Sequence, residues 1–141
     1  METQKTRLDL SDASSLTVAK TVCRLLSEKL SLSVKLIFAG ESALTDYYVV
    51  GYGRSSTHVR ALANDVEDGL AAAGVYARRT EGLDTADWVL VDFGDVILHV
   101  FGKEASEFYR FERLFKPEAF LHIDDVCEVQ KNENTKRMNE S

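Results

Sequence analysis

The 141-residue sequence predicts an α/β (α+β) fold: a mixed five-stranded sheet with helices packed on it, in the order α-β-β-α-β-β-β-α. Three observations predict it. Apolar residues recur at three-four spacing along 14–30, 56–73 and 103–115, the period of a helix with one buried stripe. Short runs rich in Val, Ile, Tyr and Phe lie between them, as strands require. Two of those runs flank Gly94-Asp95 with nothing else between, the pattern of a tight hairpin.

The elements follow in order. Leu16, Ala19, Cys23, Leu26 and Leu30 form the inner stripe of the first helix, and Ser14 or Ser15 supplies its cap. Val34–Ala39 reads as a strand ending at Gly40, and 40–46 as a polar, turn-like link. Tyr47–Tyr52 is the second strand. Val59, Leu62, Val66, Leu70 and Ala73 face inward on the second helix, and Gly74 ends it. The third strand covers Val75–Thr80, and the hairpin strands cover 87–93 and 96–101. The last helix, 103–115, brings Phe108, Phe111 and Phe115 near one face, and Pro117 marks its end. The domain is therefore read as 14–116, with a short lead at 1–13 and a polar extension at 117–141. The tail from Lys131 has no aromatic or aliphatic residue except Met138, a composition that predicts disorder.

The hairpin separates two faces. With a Gly94-Asp95 turn, Phe93 pairs with Val96, Val91 with Leu98 and Val89 with Val100. All six are apolar, so this face packs on the core. The other face sets Trp88 opposite Phe101, Leu90 opposite His99 and Asp92 opposite Ile97. Such a mixed face is either covered by another part of the chain or left open for a partner. The pattern alone favours covering. Aromatics on an open face would be natural interface anchors.

Composition excludes several classes. One domain of this length holds a real core. The formal net charge is −6 and the pI about 5.1, a poor basis for phosphate-driven nucleic-acid binding and a better one for a basic protein partner. Cys23 and Cys127 have no CxxC neighbour, so neither a zinc motif nor a disulfide framework is expected, which fits a reducing compartment. No apolar run reaches membrane-spanning length. The N-terminus lacks the apolar stretch of a secretory signal, and its early acidic residues argue against a transit peptide, so a cytoplasmic location is expected.

Three long stretches carry a family resemblance: SALTDYYVVGYGRSSTHVRALANDVE at 42–67, GLDTADWVLVDFGDVILHVF at 82–101 and EFYRFERLF at 107–115. On these the chain resembles the ribosomal silencing factor family, also called RsfS or Iojap. The resemblance covers about residues 14 to 115. It implies a fold similar to nucleotidyltransferases without their activity, and binding to ribosomal protein fourteen on the intersubunit face of the large ribosomal subunit. A protein bound there would block joining of the small subunit and repress translation under nutrient limitation. Organellar relatives support ribosome biogenesis, an alternative role on the same surface. The family's partner-binding surface uses the strand Trp, here Trp88. Hairpin geometry adds Leu90, Asp92, Ile97, His99 and Phe101, and Tyr109 matches the family's aromatic on the following helix. The resemblance turns preference from the covered face to docking. Asp92 would then meet an Arg or Lys of the partner, and the Trp-Phe patch offers a homodimer contact when the partner is absent. Two departures stand out: Phe115 occupies a position where many members have Trp, and 116–141 runs past the usual end.

A catalytic reading fares worse. Two-metal nucleotidyl transfer needs paired carboxylates on one strand face. The sequence has no Asp-x-Asp, and Asp92 and Asp95 straddle a turn. The loop Gly51-Tyr-Gly-Arg-Ser-Ser lacks the third Gly of a dinucleotide pattern and reads as a tight turn with a Ser cap. His58, His99 and His122 show no ligand spacing, and Arg78-Arg79 reads as a solvated strand end. No enzyme activity, cofactor or metal is expected.

Overall fold

Two serines start the two long helices. α1 (Ser15–Glu28) is capped by Ser14, whose side chain accepts from the Thr17 backbone N–H, and α2 (Ser56–Ala72) by Ser55, which accepts from His58. Between and after them run β1 (Val34–Phe38), β2 (Tyr47–Tyr52), β3 (Arg79–Glu81), β4 (Trp88–Asp92), β5 (Val96–Phe101), α3 (Glu107–Glu112), a 3-10 turn at Pro117–Ala119 and β6 (Phe120–Leu121). The computed structural model describes residues 9–40, 43–102 and 107–122.

The sheet has six strands in the order β3-β4-β5-β2-β1-β6. β2 and β5 pair in parallel at its centre, and the other pairings are antiparallel. The expected hairpin register holds throughout: Trp88 faces Phe101, Leu90 faces His99 and Asp92 faces Ile97. Phe93 N–H bonds to the Val96 carbonyl, which closes the two-residue turn. Gly94 sits at φ 92°, and the Asp92 side chain accepts its N–H at 2.8 Å. α1 and α2 cover one sheet face. All six residues of the hairpin's apolar side are buried there, with Val22, Leu26, Leu62 and Leu70 from the helices.

The differences from the sequence reading have physical causes. The sixth strand, β6, lies in the stretch read as extension. It pairs Phe120 with Ile37 and Leu121 with Leu36, and two residues carry no readable period. The third strand begins at Arg79 rather than Val75. Val75 N–H is consumed by the Leu70 carbonyl as α2 closes, so pairing with β4 starts only when Arg78 N–H reaches the Asp92 carbonyl. Leu10, read as part of the lead, is buried, and its N–H bonds to the Ala73 carbonyl. The last helix is described from Glu107. Residues 103–106 and the tail from 123 lie outside the described residues, as do the side chains of Phe108 and Tyr109.

Leu30 is the clearest correction. It was expected on the buried stripe of α1, yet it is 68 % exposed. The helix stops at Glu28 and closes as α2 does, with Ser31 N–H on the Leu26 carbonyl. Leu30 then occupies the left-handed position, at φ 64°. Leu30→Gly is expected to stabilise the fold by up to roughly 1.5 kcal/mol: relief of about 1–2 kcal/mol of left-handed strain, less about 0.5–1 kcal/mol for glycine's added freedom in the unfolded chain. Reversible urea unfolding checks this, and an unchanged or lower midpoint would refute it.

Candidate docking face

The second face of the sheet is assembled from alternate residues of four neighbouring strands. β4 supplies Trp88, Leu90 and Asp92, and β5 supplies Ile97, His99 and Phe101. Beside β5, β2 sets Tyr48, Val50 and Tyr52, and β1 adds Lys35 and Ile37. α3 lies across this face and divides it. The Phe111 ring stands 4.5 Å from His99, 5.5 Å from Tyr48 and 6.0 Å from Phe101, centroid to centroid. Phe115 packs on Tyr48, and Lys35 forms an ion pair with Glu112. Under this cover Phe101 and His99 are buried. Beyond it Trp88 stays 39 % exposed, and Leu90, Asp92 and Ile97 are half-buried. The face is thus both covered and open, in adjoining halves.

Trp88 is held rather than loose. Its indole Nε1–H donates to His99 Nδ1 at 2.9 Å, and its ring lies 5.0 Å from Phe101. The Gly82 turn fits close against the strand: a Cβ there would stand 2.2 Å from the Trp88 carbonyl oxygen. A groove of about 310 Å³ runs along Glu81, Gly82, Trp88 and Leu90. Asp92 is already engaged: Oδ1 takes the Gly94 N–H, and Oδ2 stands 3.6 Å from Arg79 Nε.

His99 explains the chemistry of the covered half. Because Nδ1 accepts from Trp88, the neutral ring carries its proton on Nε2. Nε2 is buried and has no hydrogen-bond partner among the described residues. Burial among aromatic rings pushes the His99 pKa down from 6.5 to about 4. The imidazole is therefore neutral near pH 7, a packing and orienting group.

Other candidates do not assemble into a reactive site. Among the described residues no group of three or more His, Cys, Asp or Glu is placed to hold a metal ion. Asp95 is exposed at the turn, and its carbonyl receives the N–H groups of Asp46 and Tyr47. In the loop before α2, Arg54 Nη1 bonds to the Leu30 carbonyl, Ser55 caps the helix, and the His58 ring ties Arg54 N–H to the Lys29 carbonyl. The groups that could cradle a phosphate are spent on joining α1 to α2, which sequence spacing did not reveal. No helix among the described residues is long and apolar enough to cross a membrane.

Stability should depend on His99 ionisation in a defined window. The folded-state pKa lies below the unfolded one, so the unfolded chain binds the extra proton. The neutral ring's contribution is full above pH 6.5 and is lost as pH falls towards about 4. The loss is about 3 kcal/mol at most, from 1.36 kcal/mol per pKa unit. His99→Gln keeps an acceptor for Trp88 but does not titrate. Urea unfolding at several pH values should show the wild-type advantage over this variant shrinking across the window. A constant difference would contradict it.

The comparisons with known proteins give the family of the chain. The chain matches the family described as ribosomal silencing factor during starvation over residues 12–141. It is similar to ribosomal silencing factor RsfS of Zymomonas mobilis, 42 % identical over 97 residues that span 68 % of this chain and 73 % of that one. A mouse relative, mitochondrial assembly of ribosomal large subunit protein 1, is 32 % identical over 83 residues, spanning 57 % of this chain and 36 % of that protein. The crystal structure of a Chromobacterium violaceum protein superposes with a TM-score of 0.67 at 31 % identity, covering 74 % of this chain and 90 % of that one. With a family match spanning nearly all of the sequence and the fold in agreement, the chain belongs to the ribosomal silencing factor family.

Proposed function

We propose that the open strip of Trp88, Leu90, Asp92 and Ile97 docks on ribosomal protein fourteen at the intersubunit face of the large ribosomal subunit. The bound chain then blocks the small subunit by its bulk and lowers translation when nutrients are scarce. His99, Phe101 and the α3 aromatics act from beneath. The mechanism is steric, in the cytoplasm, with no bond made or broken and no cofactor. One observation carries this reading: an exposed Trp held in place by a hydrogen bond and ring packing. A side chain fixed before binding loses little freedom on binding, which makes it a strong anchor. The net charge of −6 suits a basic partner and would speed encounter at low salt.

The mouse relative's name favours a second reading, assembly of the large subunit on the same surface. The two differ in timing rather than in contacts. Self-association through the strip would compete with either.

Co-sedimentation with purified large and small subunits, followed by a subunit-joining assay, tests the proposal. Wild type should pellet with large subunits alone and prevent joining. Trp88→Glu should lose both effects yet stay folded, destabilised by about 1–2 kcal/mol because His99 loses its donor. Leu90→Glu, outside that hydrogen bond, should lose binding with a smaller change in stability. Undiminished binding by both variants would overturn the strip as the docking surface. Large-subunit binding without a block to joining would favour assembly.

A further inference from the structure

A second cavity adjoins the docking strip and holds charge that the strip does not use. It encloses about 530 Å³ and shares Asp92 and Ile97 with the strip. Leu44 and Thr45 form its far wall, and Arg78 and Arg79 line the side next to β4. Arg79 is committed, 3.1 Å from Glu81 and 3.6 Å from Asp92. Arg78 makes no ion pair among the described residues. The chain has 23 acidic residues against 17 basic ones, so a counter-ion for an arginine should be easy to place, yet none among the described residues reaches it. The Arg78 guanidinium lies against the hairpin turn: a Cβ on Gly94 would stand 2.9 Å from its Cζ. One side of the guanidinium thus packs against the turn, and its donors make no hydrogen bond among the described residues, so they can serve a ligand. Thr45 is only 2 % exposed, and its hydroxyl has no partner among the described residues.

We propose that Arg78 receives a carboxylate side chain of the protein docked on the Trp88 strip. This rests on the docking reading above and deepens it. A planar guanidinium with free donors matches a carboxylate in two parallel hydrogen bonds. Asp92 shares the cavity, and the whole chain is acidic, so a nucleic-acid strand with its run of phosphates is disfavoured. A protein surface can present one anion to Arg78 and an apolar pocket to Trp88. That two-point pattern fixes the register of docking. Area points the same way. A specific interface buries roughly 800 Å² on each partner, and the strip's partly buried residues need an extension to reach it. The cavity continues the strip, and Leu44, fully exposed, forms its outer rim.

The test measures affinity of wild type, Arg78→Ala and Arg78→Glu for purified large subunits and for isolated ribosomal protein fourteen. Arg78 is exposed, so both variants should unfold at the wild-type temperature. The expected result is a loss of roughly tenfold for Arg78→Ala on the isolated protein, from one charge-assisted pair, and a larger loss for Arg78→Glu. Equal binding of all three chains to the isolated protein overturns the proposal. So does weakening seen with whole subunits alone, which assigns Arg78 to an RNA phosphate. If wild type binds large subunits but not the isolated protein, the carboxylate falls while docking on the subunit stands. If wild type binds neither, the docking reading itself has failed and takes the Arg78 site with it.

Discussion

The register of the β4–β5 hairpin is the constraint from which both the core and the proposed docking face follow. Side chains alternate along a strand, so a slip of one residue would exchange the two faces completely. In the register observed, Val89, Val91, Phe93, Val96, Leu98 and Val100 all enter the core under α1 and α2. Trp88, Leu90, Asp92, Ile97, His99 and Phe101 are then committed to the opposite side. The two-residue turn fixes this choice. Gly94 adopts the left-handed geometry the turn needs, and Asp92 locks it from the strand end. A residue of the open strip thus also holds the turn that positions the strip.

On the second face, the hydrogen bond from Trp88 to His99 joins the open half to the covered half. It sets the tautomer of His99, and burial keeps that ring neutral. In return His99 and Phe101 orient the indole. The anchor is therefore only as rigid as the packing beneath it, and that packing depends on Phe111 from α3.

Strict alternation on both sides of a two-residue turn made the hairpin legible residue by residue, and three-four stripes made α1 and α2 legible apart from Leu30. What escaped was decided by distant partners. β6 exists only because β1 offers an edge to Phe120 and Leu121. Arg78 meets the cavity because its backbone pairs with Asp92, fourteen positions on, and nothing in Arg78-Arg79 itself announces this. The alternatives of a covered or an open face could not be separated by pattern, because the answer depends on where α3 lands. Its landing point is set by Phe111 over His99 and by Lys35 with Glu112, contacts that link separate parts of the sequence.

The balance at α3 accounts for why the face is only half covered. Burying Phe111 stabilises the fold by about 1.5–3 kcal/mol. Sealing the Nε2–H of His99 from water, with no partner among the described residues, costs about 1–3 kcal/mol. The second term offsets part of the first, so the cover over His99 adds less stability than the burial of Phe111 alone would. The fold must then stand on the core behind the sheet, where the central strands and both long helices bury most of their apolar side chains. A longer cover reaching Trp88 would bury the indole and shut the strip. A shorter one would hydrate His99 and release the ring stack that orients Trp88. The position of α3 is where the anchor is both supported and accessible, and the core behind it carries the stability that this arrangement does not supply.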